Sequence, residues 1–371
     1  MRVSLLLSLA LLAPLGAGAQ TQTITVPDYT PKSSLKVPEH TLTRAKFPFI
    51  DVHSHHNNMS PERLQQIAAE MDQLNMGLSV NLSGRQGVAL KTMVDNVKGA
   101  AAGRFVVFAN LSLICGGRAA DASGCVDSPG WTERAVAQLE EDVKNGARGL
   151  KIFKNLGMDV KDSKGERVAT NDARLDPVWA KAGQLGIPVL IHTADPHQFW
   201  LPFDQFNERW YELWETRRIR DPELYPPWEQ LMGEQWDIIK RHRGTNFISA
   251  HLSWLGGDLA RLGKLMDERP NMYTELGAVL AELGRQPRFA KQFVIKYQDR
   301  ILMGKDTYTP AEFYTYFRVL ETDDEYFDYY RRRHAFWKMY GLGLPDEVLK
   351  KVYYKNALKL IPGIDKTRFP N

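Results

Sequence analysis

Two histidines separated by one residue follow a short apolar run near the beginning of the chain. The run Phe47–Ile50 predicts a buried strand, which continues into Asp51-Val52-His53-Ser54-His55. Because side chains alternate faces along a strand, His53 and His55 point to the same side, close enough to hold one ion. Imidazole is a common ligand for zinc and similar divalent metals. The pair predicts half of a metal site, and the alternative is an exposed polar strand end that continues through His56.

Further candidate ligands and acid/base groups stand at the ends of later predicted strands. His192, His251 and Asp306 each follow a different apolar run, and a fourth run contains Lys151. A lone histidine at a strand end is most often structural. The carboxyl ends of barrel strands, however, converge on one mouth. We therefore expect these residues to lie together with the first histidine pair.

Short apolar runs alternate with amphipathic segments through the rest of the chain. This alternation predicts an α/β fold, a closed (β/α)8 TIM barrel formed as a single domain by residues 47–371. The predicted strands are Phe49–Val52, Leu78–Asn81, Phe105–Leu111, Gly149–Phe153, Pro188–Ile191, Phe247–Ala250, Met272–Thr274 and Ile301–Met303. The clearest helical patterns are Pro61–Asn75, Trp131–Asn145, Pro177–Gln184, Asp258–Glu268 and Pro345–Ile361.

Two segments exceed normal loop length, one after the fifth predicted strand and one after the eighth. They span roughly Pro196–Trp228 and Tyr308–Leu344 and are rich in aromatic residues. Long insertions at the carboxyl ends of barrel strands usually cover or shape the active site. Their aromatic side chains fit two interpretations, a small core within each insertion or contacts to a substrate.

The first 20 residues have the pattern of a secretory signal peptide. Arg2 precedes the apolar stretch Leu5–Leu15, which is too short to span a bilayer, and the cleavage pattern Ala17-Gly18-Ala19 follows it. Residues 21–46 are predicted to be an extended segment. We therefore expect an exported protein, periplasmic or secreted, without a membrane anchor.

The composition is that of an ordinary globular protein. The 371 residues are 43% hydrophobic and 25% charged, with a net charge of +4. The basic block Arg331-Arg332-Arg333 lies among Tyr, His and Trp, so nucleic-acid binding is not expected. A small-molecule substrate is the expected partner, and a homo-oligomer is left open. In an oxidising compartment Cys115 and Cys125 are candidates for a disulfide.

Five motifs together resemble one enzyme group. They are DVHSHH at the first strand, IHTADP at the fifth, SAHLSW at the sixth, MGKDTY at the eighth and YKNALKLI in the last helix. This combination resembles the amidohydrolase superfamily of metal-dependent hydrolases. It looks closest to the branch that contains aminocarboxymuconate-semialdehyde decarboxylase-like enzymes, and it spans roughly residues 47–362.

The resemblance implies roles for the residues that match its motifs. His53, His55 and His192 would be metal ligands, and Asp306 would ligate or face the metal and handle the proton. His251 would be a further ligand or would polarise substrate or water. Three neutral imidazoles and a carboxylate leave a position for water, whose pKa a divalent cation lowers towards about 7. Asp306 can then accept its proton and pass it to a leaving group, as general acid/base catalysis requires.

Lys151 distinguishes two versions of such a site. In binuclear members of the superfamily a carbamylated lysine on the fourth strand bridges two metals, and in mononuclear relatives a lysine there can bind an anionic substrate. We favour one ion, zinc, with Lys151 as a substrate-binding residue. An amine that reaches the barrel rim and pairs with a carboxylate is the structural alternative.

Three further residues near the predicted mouth are candidates for substrate binding. Glu275 ends the seventh predicted strand, and His197 begins the first insertion. Arg285 could hold a substrate carboxylate through two hydrogen bonds. Each of the three also fits a solvated or locally paired role.

These patterns predict a metal-dependent hydrolase that cleaves an amide, ester or lactone bond of a small organic molecule. The alternative is a metal-dependent non-oxidative decarboxylase of a small carboxylic acid. A third hypothesis is a barrel that binds a ligand without transforming it, against which the retained ligand set argues.

Overall fold

The computed structural model describes residues 24–25, 28–115, 124–331 and 333–370. The predicted signal peptide, residues 1–20, lies outside them. The chain divides into one unit up to Val37 and a second unit from Pro38 onwards. The described residues of the first unit contain no strand and no α-helix. Within the described ranges, no helix is both long and apolar enough to cross a membrane.

The strands pair in parallel and in sequence order, in two hydrogen-bonded sheets. The first sheet contains β1 to β3 and the second contains β4 to β9. Their bounds are β1 Phe49–Ser54, β2 Met76–Asn81, β3 Phe105–Val107, β4 Ala109–Asn110, β5 Leu150–Ile152, β6 Val189–Ile191, β7 Phe247–Ser249, β8 Met272–Glu275 and β9 Ile301–Leu302.

Backbone hydrogen bonds between the first and last strands close the barrel. The N–H of Val52 donates to the carbonyl of Met303 at 2.9 Å, and the N–H of Asp306 donates to the carbonyl of His53 at 2.7 Å. The second bond joins the two strand ends that were predicted to carry metal ligands. The predicted (β/α)8 barrel is therefore confirmed.

The third barrel strand differs from the prediction because it is divided. The run Phe105–Leu111 forms the two short strands β3 and β4, separated by Phe108. β3 pairs with β2, whereas β4 pairs with β5. The N–H of Phe108 donates to the carbonyl of Asn81 at 3.0 Å, so the chain stays in the barrel wall between the two halves.

Helices connect the strands and cover the outside of the barrel. Their bounds are α1 Pro61–Leu74, α2 Gly87–Ala100, α3 Trp131–Lys144, α4 Asn155–Met158, α5 Asp176–Gln184, α6 Trp210–Thr216, α7 Trp228–Arg241, α8 Leu259–Glu268, α9 Leu280–Gly284, α10 Pro287–Lys296, α11 Phe313–Glu321, α12 Asp346–Lys350 and α13 Asn356–Leu360. α1 shows why they form: Ser60 caps its N-terminus and Pro61 occupies the first turn. Its buried residues lie on one face at helical spacing.

The last helix contains a π-helical turn. Lys351–Lys355 joins α12 to α13 in place of the single helix predicted over Pro345–Ile361. Widened turns of this kind leave an α-helical carbonyl without its usual partner. Here the carbonyl of Val352 accepts the N–H of Met303 at 2.9 Å, which fixes the end of β9 next to Asp306.

The two predicted insertions differ in how they are built. The first contains α6 and ends where α7 begins, and the second contains α11. α11 is not a separate small core, because Phe313 and Phe317 pack against Phe49 of β1 at ring-centroid distances of 5.6 and 5.5 Å. Farther along, the ring of Phe336 stacks on Tyr211 of the first insertion at 6.3 Å. The insertions therefore contact both the barrel and each other.

Cys115 and Cys125 form a disulfide. Residues 116–123 of the loop that it closes lie outside the described residues.

Candidate metal centre

The five residues predicted to form the site stand at the carboxyl ends of four strands. His53 lies in β1, and His55 follows the end of that strand. His192, His251 and Asp306 follow the ends of β6, β7 and β9, in that order. In a parallel barrel these ends face the same mouth.

The structure brings the five side chains together. His53 Nε2 lies 3.4 Å from Asp306 Oδ1, and His55 Nε2 lies 3.8 Å from the same oxygen. The ring of His251 is 4.8 Å from that of His53 and 4.5 Å from that of His192, between centroids. His53, His55 and Asp306 offer ligand atoms that all lie within 4.8 Å of one another.

Hydrogen bonds to Nδ1 leave the Nε2 atoms facing the centre. His53 Nδ1 lies 3.0 Å from Glu275 Oε1, and His251 Nδ1 lies 2.7 Å from the carbonyl of Gly277. A carbonyl can only accept, so Nδ1 of His251 carries the proton and Nε2 keeps its lone pair. Orientation of ligand histidines by carboxylates and carbonyls is usual at metal sites.

Three of these Nε2 atoms are buried and have no hydrogen-bond partner among the described residues. They belong to His53, His192 and His251. Burying an unsatisfied polar atom costs free energy, so such atoms require an explanation. A cation among the three nitrogens and Asp306 would supply the missing partner, and the residues therefore fit a divalent metal.

The electrostatics favour neutral imidazoles beside an ionised carboxylate. Burial lowers the pKa of His53 and His192 well below the usual value. Burial and the nearby Lys151 lower the pKa of His55 to about 4. Burial alone would raise the pKa of Asp306, but the neighbouring histidines and Lys151 hold it below its usual value. These are the protonation states that metal ligation requires.

A sequence model described as Amidohydrolase matches residues 50–363. The chain belongs to the amidohydrolase family. A comparison with curated proteins finds no match.

Solved structures share the fold of this amidohydrolase. An uncharacterised TIM-barrel protein from Bordetella bronchiseptica has a TM-score of 0.51 at 16% identity, over 84% of this chain and 98% of its own. A 2,6-dihydroxybenzoate decarboxylase complexed with 2,6-dihydroxybenzoate has a TM-score of 0.51 at 13% identity, over 85% and 99%. A dihydroxybenzoic acid decarboxylase from Polaromonas, with bound manganese and the inhibitor 2-nitroresorcinol, has a TM-score of 0.50 at 13% identity, over 85% and 96%.

Lys151 of the amidohydrolase barrel is fully buried beside the histidines. Its Nζ has no hydrogen-bond partner among the described residues and lies 5.5 Å from the ring centroid of Phe153. Burial lowers its pKa to about 8, although the charges of Asp306 and Glu275 act in the opposite direction. The alternative of an ordinary ion pair at the rim is not observed, since no carboxylate among the described residues contacts this amine.

Glu275 contacts the site from behind and does not line open space. It is fully buried. Its Oε1 accepts from His53 Nδ1 and from the backbone N–H of His251 at 2.7 Å, and its Oε2 accepts from the N–H of Gly277 at 2.5 Å. A Cβ at Gly304 would overlap Oε2, so a glycine is needed there. Both of its oxygens are engaged by these protein groups, which is the arrangement of an orienting residue, and substrate binding by Glu275 stays a prediction.

His197 and Arg285 lie outside the histidine cluster. Both line a cavity of about 350 Å³ that Trp254 also borders. His197 packs on the ring of Trp228 at 5.0 Å, and Arg285 forms an ion pair with Glu208 at 2.8 Å. Neither contacts the predicted ligands, and the contacts that they make are those of the local-pairing alternative. Substrate binding by these two residues stays a prediction.

Sequence reasoning missed two residues that shape the centre. Asp51 is buried, and its Oδ1 accepts the N–H groups of His53 and Lys305, each at 3.1 Å. Burial raises its pKa to about 8. Trp254 stacks on His251 at 4.4 Å between ring centroids. Both stand inside the motifs DVHSHH and SAHLSW, which are the signals that could have identified them.

Proposed function

We propose that this amidohydrolase is a metal-dependent hydrolase of a small organic molecule and cleaves an amide, ester or lactone bond. The observation that carries the proposal is the convergence of three unpartnered imidazole Nε2 atoms beside Asp306 at the barrel mouth. His53, His55, His192 and Asp306 would hold one divalent ion, with His251 as a further ligand or beside it. Zinc is favoured because neutral imidazoles with one carboxylate suit it.

The side chains supply the proton chemistry. When bound, a divalent ion lowers the pKa of water and polarises a carbonyl oxygen. The side chain of Asp306 is 26% exposed, so its carboxylate is accessible to a water or leaving group at the mouth. Its lowered pKa keeps it ionised at neutral pH and ready to accept a proton.

The contacts of His251 exclude one of the roles first considered, the polarisation of a substrate carbonyl by a donated hydrogen bond. Its Nδ1–H is used by the carbonyl of Gly277, which leaves the lone pair of Nε2 as an acceptor. An acceptor suits metal ligation or the orientation of water. It cannot donate a hydrogen bond to a substrate carbonyl.

The position of Lys151 supports a role in substrate binding. A cationic amine with no hydrogen-bond partner would pair with an anionic substrate group. Its lowered pKa also leaves part of the amine neutral near pH 8, as carbamylation requires. We retain one ion as the proposal, and two ions bridged by carbamylated Lys151 as the outcome that a metal count would reveal.

Non-oxidative decarboxylation is the second candidate. Two of the solved structures with this fold are of dihydroxybenzoate decarboxylases, and one of these two has bound manganese. In this reaction Asp306 would deliver a proton to the carbon that loses carbon dioxide. His251, the other donor first considered, already directs its Nδ1–H to the carbonyl of Gly277.

One experiment separates the candidates. Metal-supplemented protein is incubated in ¹⁸O-water with panels of amides, esters, lactones and aromatic or unsaturated acids. Incorporation of one ¹⁸O atom into the carboxylic acid product, lost in a His53→Ala variant, supports hydrolysis. Release of carbon dioxide without ¹⁸O in the product supports decarboxylation. Tight binding without turnover that persists in His53→Ala supports the non-catalytic alternative and contradicts the proposal.

We also propose that the chain is exported and acts in the periplasm or outside the cell. The signal-peptide pattern of residues 1–20 supports this. N-terminal sequencing of the exported protein should begin near Gln20, whereas full-length protein retained in the cytoplasm would contradict export.

A further inference from the structure

Four consecutive residues after β7 have a left-handed backbone. His251, Leu252, Ser253 and Trp254 have φ values of 58°, 51°, 56° and 54°. L-residues avoid this region because Cβ approaches the following carbonyl oxygen, and they occupy it singly rather than in runs. Such backbone persists only where its surroundings hold it, and it clusters at functional sites. The run therefore requires a specific support.

The hydroxyl of Ser253 links this run to α7 and to the end of β7. Trp236 Nε1 donates to Ser253 Oγ at 2.9 Å, and Ser249 Oγ lies 2.9 Å from it. Gln235 Nε2 donates to Ser249 Oγ at 2.7 Å and lies 3.4 Å from Ser253 Oγ. Ser249, Ser253 and Gln235 are buried, with exposed fractions of 1% or less. A closed set of hydrogen bonds thus holds the residues on both sides of His251.

Two hydrogen bonds and one stacked ring hold His251 in place. Its backbone N–H donates to Glu275 Oε1, and its Nδ1 donates to the carbonyl of Gly277, each at 2.7 Å. Trp254 stacks on the ring at a centroid distance of 4.4 Å, and Trp254 Nε1 donates to the carbonyl of Thr193 at 3.0 Å. A right-handed backbone here would change the direction in which the side chain leaves the chain. The Nδ1 bond and the stacking both depend on that direction.

We propose that Ser253, held by Trp236 and Gln235 of α7, is a positioning residue for His251. Its hydroxyl keeps the left-handed run in place, and the run presents Nε2 of His251 to the centre of the site. This proposal rests on the proposed function, because it takes His251 to be a residue of the reactive site. It goes further by assigning a role to a helix that contributes no ligand.

The test uses the metal-free, full-length protein with ¹⁵N-labelled histidine. Trp236→Phe keeps the aromatic ring but removes the indole N–H, and Ser253→Ala removes the hydroxyl. Trp200→Phe is the matched control, because Trp200 Nε1 also donates at 2.9 Å, to the carbonyl of Pro226 away from the run. The readouts are the ¹⁵N shift of His251 Nδ1 and the exchange rate of its proton, followed by zinc affinity from competition with a chelator.

We expect Trp236→Phe and Ser253→Ala to shift the His251 Nδ1 signal and to speed exchange of the Nδ1 proton. Trp200→Phe should leave both the signal and the exchange rate unchanged. Zinc affinity should weaken by up to about 10- to 100-fold, the loss that follows when the hydrogen-bonded partner of a metal ligand is removed. The proposal is overturned if folded Trp236→Phe and Ser253→Ala both match Trp200→Phe in signal and affinity. If Ser253→Ala does not fold, Trp236→Phe decides the outcome alone.

Ser253→Gly separates the hydroxyl from the backbone, because glycine adopts positive φ without strain. If it behaves like Ser253→Ala, the hydroxyl is required. If it retains the wild-type signal, the backbone alone positions His251 and the proposal is overturned. The NMR readout needs neither metal nor substrate, so absent metal binding would refute the proposed function without deciding this inference.

Discussion

Glu275→Gln tests whether a buried carboxylate sets the protonation of the candidate ligands. Glu275 accepts three N–H groups, from His53, His251 and Gly277. Glutamine offers one carbonyl oxygen and one NH₂ group, so it cannot accept on both sides. If the NH₂ of the glutamine faces Gly277, it meets the backbone N–H of Gly277, which is also a donor. If it faces His53, the Nδ1 proton moves to Nε2 and removes the lone pair aimed at the centre.

The size of the effect follows from these contacts. An unsatisfied buried N–H costs about 1–3 kcal/mol of stability in either orientation. Loss of a partner that orients a metal ligand costs about 10- to 100-fold in metal affinity. That range corresponds to about 1.4–2.7 kcal/mol of binding free energy. Zinc affinity is measured by competition with a chromophoric chelator, and stability by urea unfolding of the metal-free protein.

Glu234→Gln is the matched control. Glu234 is also a buried acceptor, and it binds Arg167 and the N–H of Thr170 away from the histidines. We expect it to lower stability to a similar degree and to leave zinc affinity unchanged. If folded Glu275→Gln binds zinc as tightly as Glu234→Gln does, Glu275 does not orient the ligands and our account of their protonation is refuted.

Two further predictions concern stability. Phe49→Ala should cost about 3–5 kcal/mol in urea unfolding because Phe49 of β1 is fully buried against α11, and a loss below about 1 kcal/mol would contradict this packing. Asp195→Asn should destabilise the protein at pH 7, where Asp195 is ionised and pairs with Lys154 at 2.5 Å. Burial alone would raise the pKa of Asp195, but Lys154 and Arg220 hold it below the usual value, so this stabilisation is present above about pH 4. The stabilisation is lost as the pH falls through the lowered pKa of Asp195 in the folded state. The difference in unfolding free energy between variant and wild type should therefore shrink towards pH 3. A difference that stays constant with pH would contradict the ion pair.

The sequence was sufficient for the barrel and for the main members of the cluster. Strand-end residues such as His53, His192 and Asp306 could be predicted to meet because parallel strands place their carboxyl ends at one mouth. The division of the third strand was not predictable from residue types. It arises because Phe105–Val107 and Ala109–Asn110 pair with different neighbours, and pairing is a tertiary property.

Residue roles were harder to predict than residue positions. Glu275 and Asp306 are both carboxylates after barrel strands, and only their burial and contacts separate an orienting group from a candidate ligand. His197 and Arg285 also come after barrel strands in the sequence, but they line a different cavity, which Trp254 borders. Their distance from the centre depends on loop geometry, which local sequence does not specify.

The central claim is that the cluster of histidines with Asp306 holds one divalent ion. Elemental analysis of protein purified with added metal, compared with His53→Ala and His192→Ala, tests this most directly. Our account predicts close to one metal ion per chain in the wild type and a large loss in both variants. A value near two would instead support the binuclear version with carbamylated Lys151. A value near zero in the wild type, or unchanged metal in both variants, would contradict the account.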